Sequence, residues 1–268
     1  MLTKLFVLGF LLIFGEIALA QEIVTLPTRP GATQSYLLPG APEQAKAVAL
    51  LFPGSGGLIR LRREEGEIKF DSDNFLVRSR GEFVDRGVST VIVDAPSDQQ
   101  NGYGMSHEFR FGQDHFKDIT AVVADLQKRF SAVPMFLVGA SRGTLSAASL
   151  AARLGQQISG VVLTATMFNP TGRRSPSPSP GLSKFDLGTI KAPLLLVHHV
   201  DDRCNVTPYG GAASFAQRYA LISVLGGLPA KSSECEALSA HGFYGKERET
   251  IEEIVNWMLK KPFRTNVQ

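Results

Sequence analysis

The chain has 268 residues, 44% of them hydrophobic and 20% charged, with 26 glycines and 15 prolines. That is enough apolar material for one domain with a full-sized core, and two packed domains would be a tight fit. A formal charge of +3, with no run of lysines and arginines interleaved with aromatics, gives no footing for a nucleic-acid partner.

Residues 1–20 carry a basic start at Lys4 and an apolar stretch from Leu5 to Phe14. They close on Ala18-Leu19-Ala20, the small-x-small pattern of a signal-peptidase site. Glu16 interrupts the apolar run before the roughly 20 residues that a membrane-crossing helix needs. The expectation is a signal peptide over 1–20, a single domain over 21–268, and a periplasmic or secreted product with no membrane span after cleavage. Loss of Lys4 and Glu16 together leaves the formal charge at +3. An exported chain meets an oxidising compartment, where the two cysteines, Cys204 and Cys235, can pair. Two cysteines without matching histidine spacing make a poor zinc site.

In chain order, Gln34 to Leu38 reads as an edge strand. Ala47 to Phe52 is apolar almost throughout, as a strand covered on both faces is, and is followed at once by Pro53-Gly54-Ser55-Gly56-Gly57. Asp73 to Arg86 reads as a helix with Phe75, Leu76, Phe83 and Val84 on one face. Ser89 to Val93 is short and β-branched, hence a strand. From His107 to Arg129 the pattern predicts a helix burying Ile119, Val122, Val123 and Leu126, after an irregular start near Gly112. Strand Met135 to Val138 and helix Gly143 to Leu154 follow, then strands Gly160 to Ala165 and Leu194 to His198. Between those strands, Asn169 to Phe185 alternates prolines and serines and cannot form a regular helix or a central strand. It reads either as a flexible surface loop or as a small flap beside a pocket. Gly210 to Ala220 is the next helix, Leu221 to Leu225 a final strand, and Glu247 to Leu259 a last helix with Ile251, Ile254, Val255 and Met258 inward. Short strands alternating with longer helices predict an α/β fold, a mostly parallel sheet with helices on both faces.

The chemistry concentrates at strand ends. "VGASRGTLSAASLAARL", from Val138, sets Ser141 between Gly139 and Gly143 at a strand-to-helix turn, where small neighbours permit close backbone approach. A serine hydroxyl is a weak nucleophile until a base takes its proton and a carboxylate fixes the tautomer of that base. "LLLVHHVDDRC" places Asp201 and Asp202 just past a strand, and "ECEALSAHGFYG" places His241 before the last helix. The backbone N–H groups of Arg142 and of Ser55 could receive a developing oxyanion. The loop "PGSGGLIR" lacks the G-K-[ST] ending of a phosphate-binding loop. His198 and His199 read as packed or hydrogen-bonded loop residues rather than metal ligands, and His107 and His115 are weaker metal candidates still.

With these motifs in place, the chain resembles the α/β-hydrolase superfamily from Ala47 to Leu259. The resemblance implies the α/β-hydrolase fold, Ser141 as nucleophile, His241 as base and Asp202 as acid, with Asp201 the competing acid. The loop Phe52-Pro53-Gly54-Ser55-Gly56 matches the oxyanion loop of the superfamily, with proline where many members carry histidine. "HHVDDRCNVTP" followed by "C…HGF" looks like a dienelactone-hydrolase-like branch of exported bacterial proteins, in which the two cysteines pair near the triad. That resemblance implies a Cys204–Cys235 disulfide here.

The reaction so implied is two-step acyl transfer to water, with a small-molecule ester as substrate and neither cofactor nor metal. A serine peptidase of the same fold is the alternative enzyme, though the chain has little room for a substrate-gating domain. The alternative outside catalysis is an inactive exported binding protein on a hydrolase scaffold. The stretch from Thr166 to Phe185 is too short for a large helical lid, which argues against long acyl chains.

Overall fold

The computed structural model describes residues 21–40, 44–172 and 174–268; the expected signal peptide, 1–20, lies outside the described residues. The chain opens with an antiparallel hairpin, β1 (Glu22–Arg29) and β2 (Ala32–Leu38), followed by β3 (Ala47–Phe52). A two-stranded hairpin, β4 (Arg62–Glu64) with β5 (Glu67–Lys69), precedes two short helices, α1 (Phe75–Arg78) and α2 (Arg80–Val84). Then come β6 (Val88–Val93), α3 (His107–Phe111), α4 (Gln113–Arg129), β7 (Met135–Ala140) and α5 (Gly143–Leu154). The last third holds β8 (Gly160–Thr164), β9 (Leu194–His199), α6 (Tyr209–Ala213), β10 (Ala220–Val224), α7 (Glu247–Met258) and β11 (Asn266–Val267).

Nine strands form one sheet in the order β1-β2-β6-β3-β7-β8-β9-β10-β11. The pairs β1–β2 and β2–β6 are antiparallel, and the pairs from β6 to β11 are parallel. This is the α/β-hydrolase fold. Strand periodicity divides the core between the faces: Val48, Leu50 and Phe52 join the cluster under α4 and α5, while Ala47, Ala49 and Leu51 join the cluster under α1, α2 and α7. All six residues of β3 are buried, as a central strand covered on both sides requires.

Several elements depart from expectation for local reasons. The helix expected over Asp73 to Arg86 is two short helices that meet at Ser79. Gly112, extended at φ −72° and ψ 167°, breaks the next helix into α3 and α4. The helix expected over Gly210 to Ala220 stops at Ala213 and continues as hydrogen-bonded turns through Tyr219. β10 is not the last strand, because β11 adds beside it after α7. The polar proline-bearing hairpin partner β1 was not anticipated; Val24 is its one buried residue.

His115 on α4 is fully buried with neither ring nitrogen hydrogen-bonded, edge-on to Phe52. Desolvation, reinforced by Arg110, Arg153 and Arg29, pushes its pKa down to about 3. In the unfolded chain the ring titrates near its ordinary value, so between about pH 6.5 and 3 the unfolded state binds the extra proton and stability falls as pH falls. Denaturant unfolding measured from pH 7 to 5 is expected to show His115→Leu losing less stability than the parent. The slope should shrink by up to about 1.4 kcal/mol per pH unit.

Candidate active site

β7 delivers the chain to Ser141 at φ +52°, a left-handed conformation rare for a residue with a Cβ. The turn is fastened on both sides. Ser141 N–H donates to Thr164 O at 3.0 Å, and Ser141 O accepts from Thr144 N at 2.9 Å and Thr144 Oγ1 at 2.6 Å. Thr144 Oγ1 in turn accepts from Met167 N–H at 3.2 Å. The flanking glycines are sterically obligatory. A Cβ on Gly143 would fall 2.0 Å from Phe52 O, and one on Gly139 would fall 2.7 Å from Gly143 O.

The acid and the histidine come from the ends of β9 and β10. Asp202 Oδ2 accepts from His241 Nδ1 at 3.1 Å, and both residues are buried. This bond sets the tautomer, with the proton on Nδ1 and the Nε2 lone pair left free. Asp202 Oδ1 accepts from Cys204 N–H at 2.9 Å. Asp201, by contrast, is exposed, and its N–H donates to His199 Nδ1 at 3.1 Å. Of the two aspartates, Asp202 is the one that meets His241.

Ser141 and His241 line one cleft of about 470 Å³ together with Gly54, Ser55, Asn74 and Cys235. No hydrogen bond joins the Ser141 hydroxyl to His241. The backbone N–H groups of Ser55 and Arg142 have no acceptor among the described residues. Ser55 faces the cleft, and its carbonyl is held by Arg110 Nη2 at 3.0 Å.

Cys204 and Cys235 form a disulfide with a sequence separation of 31, joining the loop of the acid to the loop of the histidine. Closing a loop of that length stabilises the fold by about 3–4 kcal/mol on the chain-entropy estimate. His198 and His199 are not idle. His198 Nε2 accepts from Thr166 N–H at 2.8 Å, and desolvation pushes its pKa down to about 3. His199 Nε2 donates to Gly226 O at 2.8 Å. Among the described residues, no group of three or more His, Cys, Asp or Glu is placed to hold a metal ion, and no helix is long and apolar enough to cross a membrane.

The proline-serine loop is pinned rather than free-standing. Arg142 donates to Ser177 O at 2.8 Å and Ser177 Oγ at 3.1 Å, and Ser179 Oγ lies 3.1 Å from His107 Nδ1. None of its described residues lines the Ser141 cleft.

Sequence reasoning missed Thr207. Its hydroxyl donates to Asp202 Oδ2 at 2.8 Å and lies 3.0 Å from His241 Nδ1, so it buttresses the pair from the side. Its only trace in the sequence is a threonine five residues past the acid, ahead of Pro208, and no periodicity marks that spacing.

These strand-end groups sit on a mostly parallel sheet with the α/β-hydrolase fold. A family model described as serine aminopeptidase, S33, matches residues 79–187, under half of the chain. No match is found among curated proteins. Among solved structures, the chain is similar to a cold-adapted esterase from an Arctic intertidal metagenomic library (TM-score 0.56, 14% identity, 92% of this chain and 95% of that one). It is also similar to Est1E from Butyrivibrio proteoclasticus (TM-score 0.56, 15% identity, 86% and 98%). A third is an α/β serine hydrolase without lid from Xanthomonas campestris (TM-score 0.53, 15% identity, 87% and 94%).

Thr207→Val keeps the shape and removes the hydroxyl that shares the Asp202–His241 bond. A lost hydrogen bond to a charged group corresponds to about 1.5–3 kcal/mol. Covalent labelling of Ser141 by a fluorophosphonate is therefore expected to slow about 10- to 100-fold, read by intact mass against time.

Proposed function

We propose that the protein is a serine hydrolase that cleaves carboxylic esters of small or medium substrates through an acyl-enzyme on Ser141. The observation that carries this reading is the Asp202–His241 bond beside a left-handed serine in one open cleft. As Ser141 Oγ attacks the acyl carbon, His241 Nε2 takes the hydroxyl proton and Asp202 stabilises the imidazolium. The N–H groups of Ser55 and Arg142 receive the oxyanion. Return of the carbonyl electron pair expels the alcohol, which takes the proton from His241. Water then repeats the sequence on the acyl-enzyme with the same base. No cofactor is needed for any of these steps.

Size supports a modest substrate. The described part of the loop between β8 and β9 contributes no wall to the cleft, and its described residues form no α-helix. Esterases among the similar structures accord with ester hydrolysis, and another similar structure is described as an α/β serine hydrolase without lid. The cysteine pair that joins the loops of Asp202 and His241 favours the dienelactone-hydrolase-like branch of the superfamily. One observation favours a peptidase instead: Asp71, Asp73 and Glu236 all line the cleft, an acidic wall that suits a peptide ammonium.

A fluorophosphonate probe is expected to add one mass to the wild type and none to Ser141→Ala, and to react at least 10²-fold more slowly with His241→Ala and Asp202→Asn than with Asp201→Asn. Absence of labelling on folded wild type would sink the mechanism. Turnover of p-nitrophenyl acetate without cleavage of aminoacyl p-nitroanilides separates esterase from peptidase.

Export is part of the proposal, supported by the leader pattern and by a disulfide suited to an oxidising compartment. Intact mass of the protein recovered from an exporting bacterial host is expected to place the mature N-terminus at Gln21. Retention of Met1 on protein from the periplasm or medium would overturn it.

A further inference from the structure

Asn74 stands immediately before α1 and serves as its N-cap, its Oδ1 accepting from Leu76 N–H at 3.1 Å. The amide is planar, so committing the oxygen to the cap fixes the direction of the NH2 group as well. That group has no acceptor among the described residues, and Asn74 lines the cleft shared by Ser141 and His241. Its position relative to the nucleophile follows from Gly54. The point where a Cβ on Gly54 would sit is 3.2 Å from Asn74 Nδ2, 3.2 Å from Ser141 Cβ and 3.2 Å from Ala140 O. Nδ2 and Ser141 Cβ therefore lie within twice that distance of each other, across a space kept open by a glycine in the loop that carries Ser55.

We propose that the Asn74 side-chain amide is a third donor to the oxyanion formed when Ser141 attacks, beside the backbone N–H groups of Ser55 and Arg142. The proposal rests on the acyl-transfer reading of the site and names a catalytic residue that reading lacks. Attack forms the bond from Ser141 Oγ to the acyl carbon and moves the carbonyl π pair onto oxygen, while the serine proton passes to His241. Asn74 exchanges no proton in this step; it donates one N–H to the new charge. Because the cap already holds the amide in place, little reorganisation accompanies charge development, which is the condition under which such donors are effective.

Residue type separates this role from capping. Asparagine, aspartate and serine cap helices about equally well, but only asparagine adds an N–H beyond the capping oxygen. An aspartate here would aim a carboxylate oxygen at the position of the developing negative charge.

The test uses the full chain after export, p-nitrophenyl acetate turnover, fluorophosphonate labelling rates and thermal midpoints for wild type, Asn74→Ser and Asn74→Asp. Both variants are expected to keep the midpoint of the wild type and lose about 10²-fold in kcat and in labelling rate, with KM within about threefold. The aspartate variant should be the slower of the two. An active wild type with either variant keeping kcat within about threefold, or losing only in KM, would overturn the donor role and leave the acyl-transfer reading intact. An unlabelled, inactive wild type would overturn both.

Discussion

The approach of the N-terminus of α5 to the end of β3 is the constraint on which the rest of the molecule turns. Gly143 sits so close to Phe52 that its missing side chain is filled by a backbone carbonyl of the neighbouring strand. Three things are locked by that one contact. Ser141 must take a left-handed turn to bring the chain from β7 into α5 so abruptly. The helix must begin directly over the sheet. The loop leaving β3, with Gly54 and Ser55, must run past the serine. The strained φ at Ser141 is held by Thr144 and Thr164, so its cost is spread over hydrogen bonds of an otherwise well-packed core.

The other half of the site is built by a different device. Asp202 and His241 lie on loops that leave adjacent parallel strands, and loops of this length would wander if packing alone held them. Here the disulfide joins them, Cys204 N–H fixes one carboxylate oxygen, and Thr207 spans the aspartate and the ring. On its far side the histidine loop is tied to α1 and α7, where Arg78 donates to Gly242 O at 2.6 Å and pairs with Glu247 at 2.9 Å. The same disulfide that stabilises the chain thus narrows the spread of distances between acid and base.

How much of this was legible in the sequence follows from which signals are local. β3, β7, β8 and β9 were visible because strands buried on both faces read as largely apolar runs, β6 because it is rich in β-branched residues, and the glycine-flanked serine because steric exclusion leaves glycine no substitute. The outer elements were harder to see. β1 and β11 are edge strands: β1 has a single buried residue and carries no apolar run, and β11, two residues long, has no periodicity at all. The helix expected over Gly210 to Ala220 stops early because Gly210 and Gly211 weaken it, and turns suffice to stack Phe215 on Phe168. The choice between Asp201 and Asp202 was undecidable from adjacent positions, since it depends on which side of a turn faces His241. Thr207 was missed because its role arises from a contact with His241, 34 residues away in the chain, and Asn74 because it shares a cleft with Ser141, 67 residues away.

Arg110 shows how stability and reactivity pull against each other at this site. It is fully buried, makes hydrogen bonds to Ser146 Oγ at 2.7 Å and Ser55 O at 3.0 Å, and leaves Nε unpartnered. No carboxylate among the described residues forms an ion pair with it. Burial, with Arg142 nearby, pushes its pKa down to about 9, which leaves it a cation at neutral pH. A buried charge without a counterion weakens the fold. Placed behind the loop that presents Ser55 N–H, however, the same charge favours negative charge in the cleft, and in a low-dielectric setting that preference is strong. Under the acyl-transfer reading, Arg110 acts on the site through the Ser55 peptide whose carbonyl it holds, so the cost of burying its charge is set against a fixed direction for the Ser55 N–H.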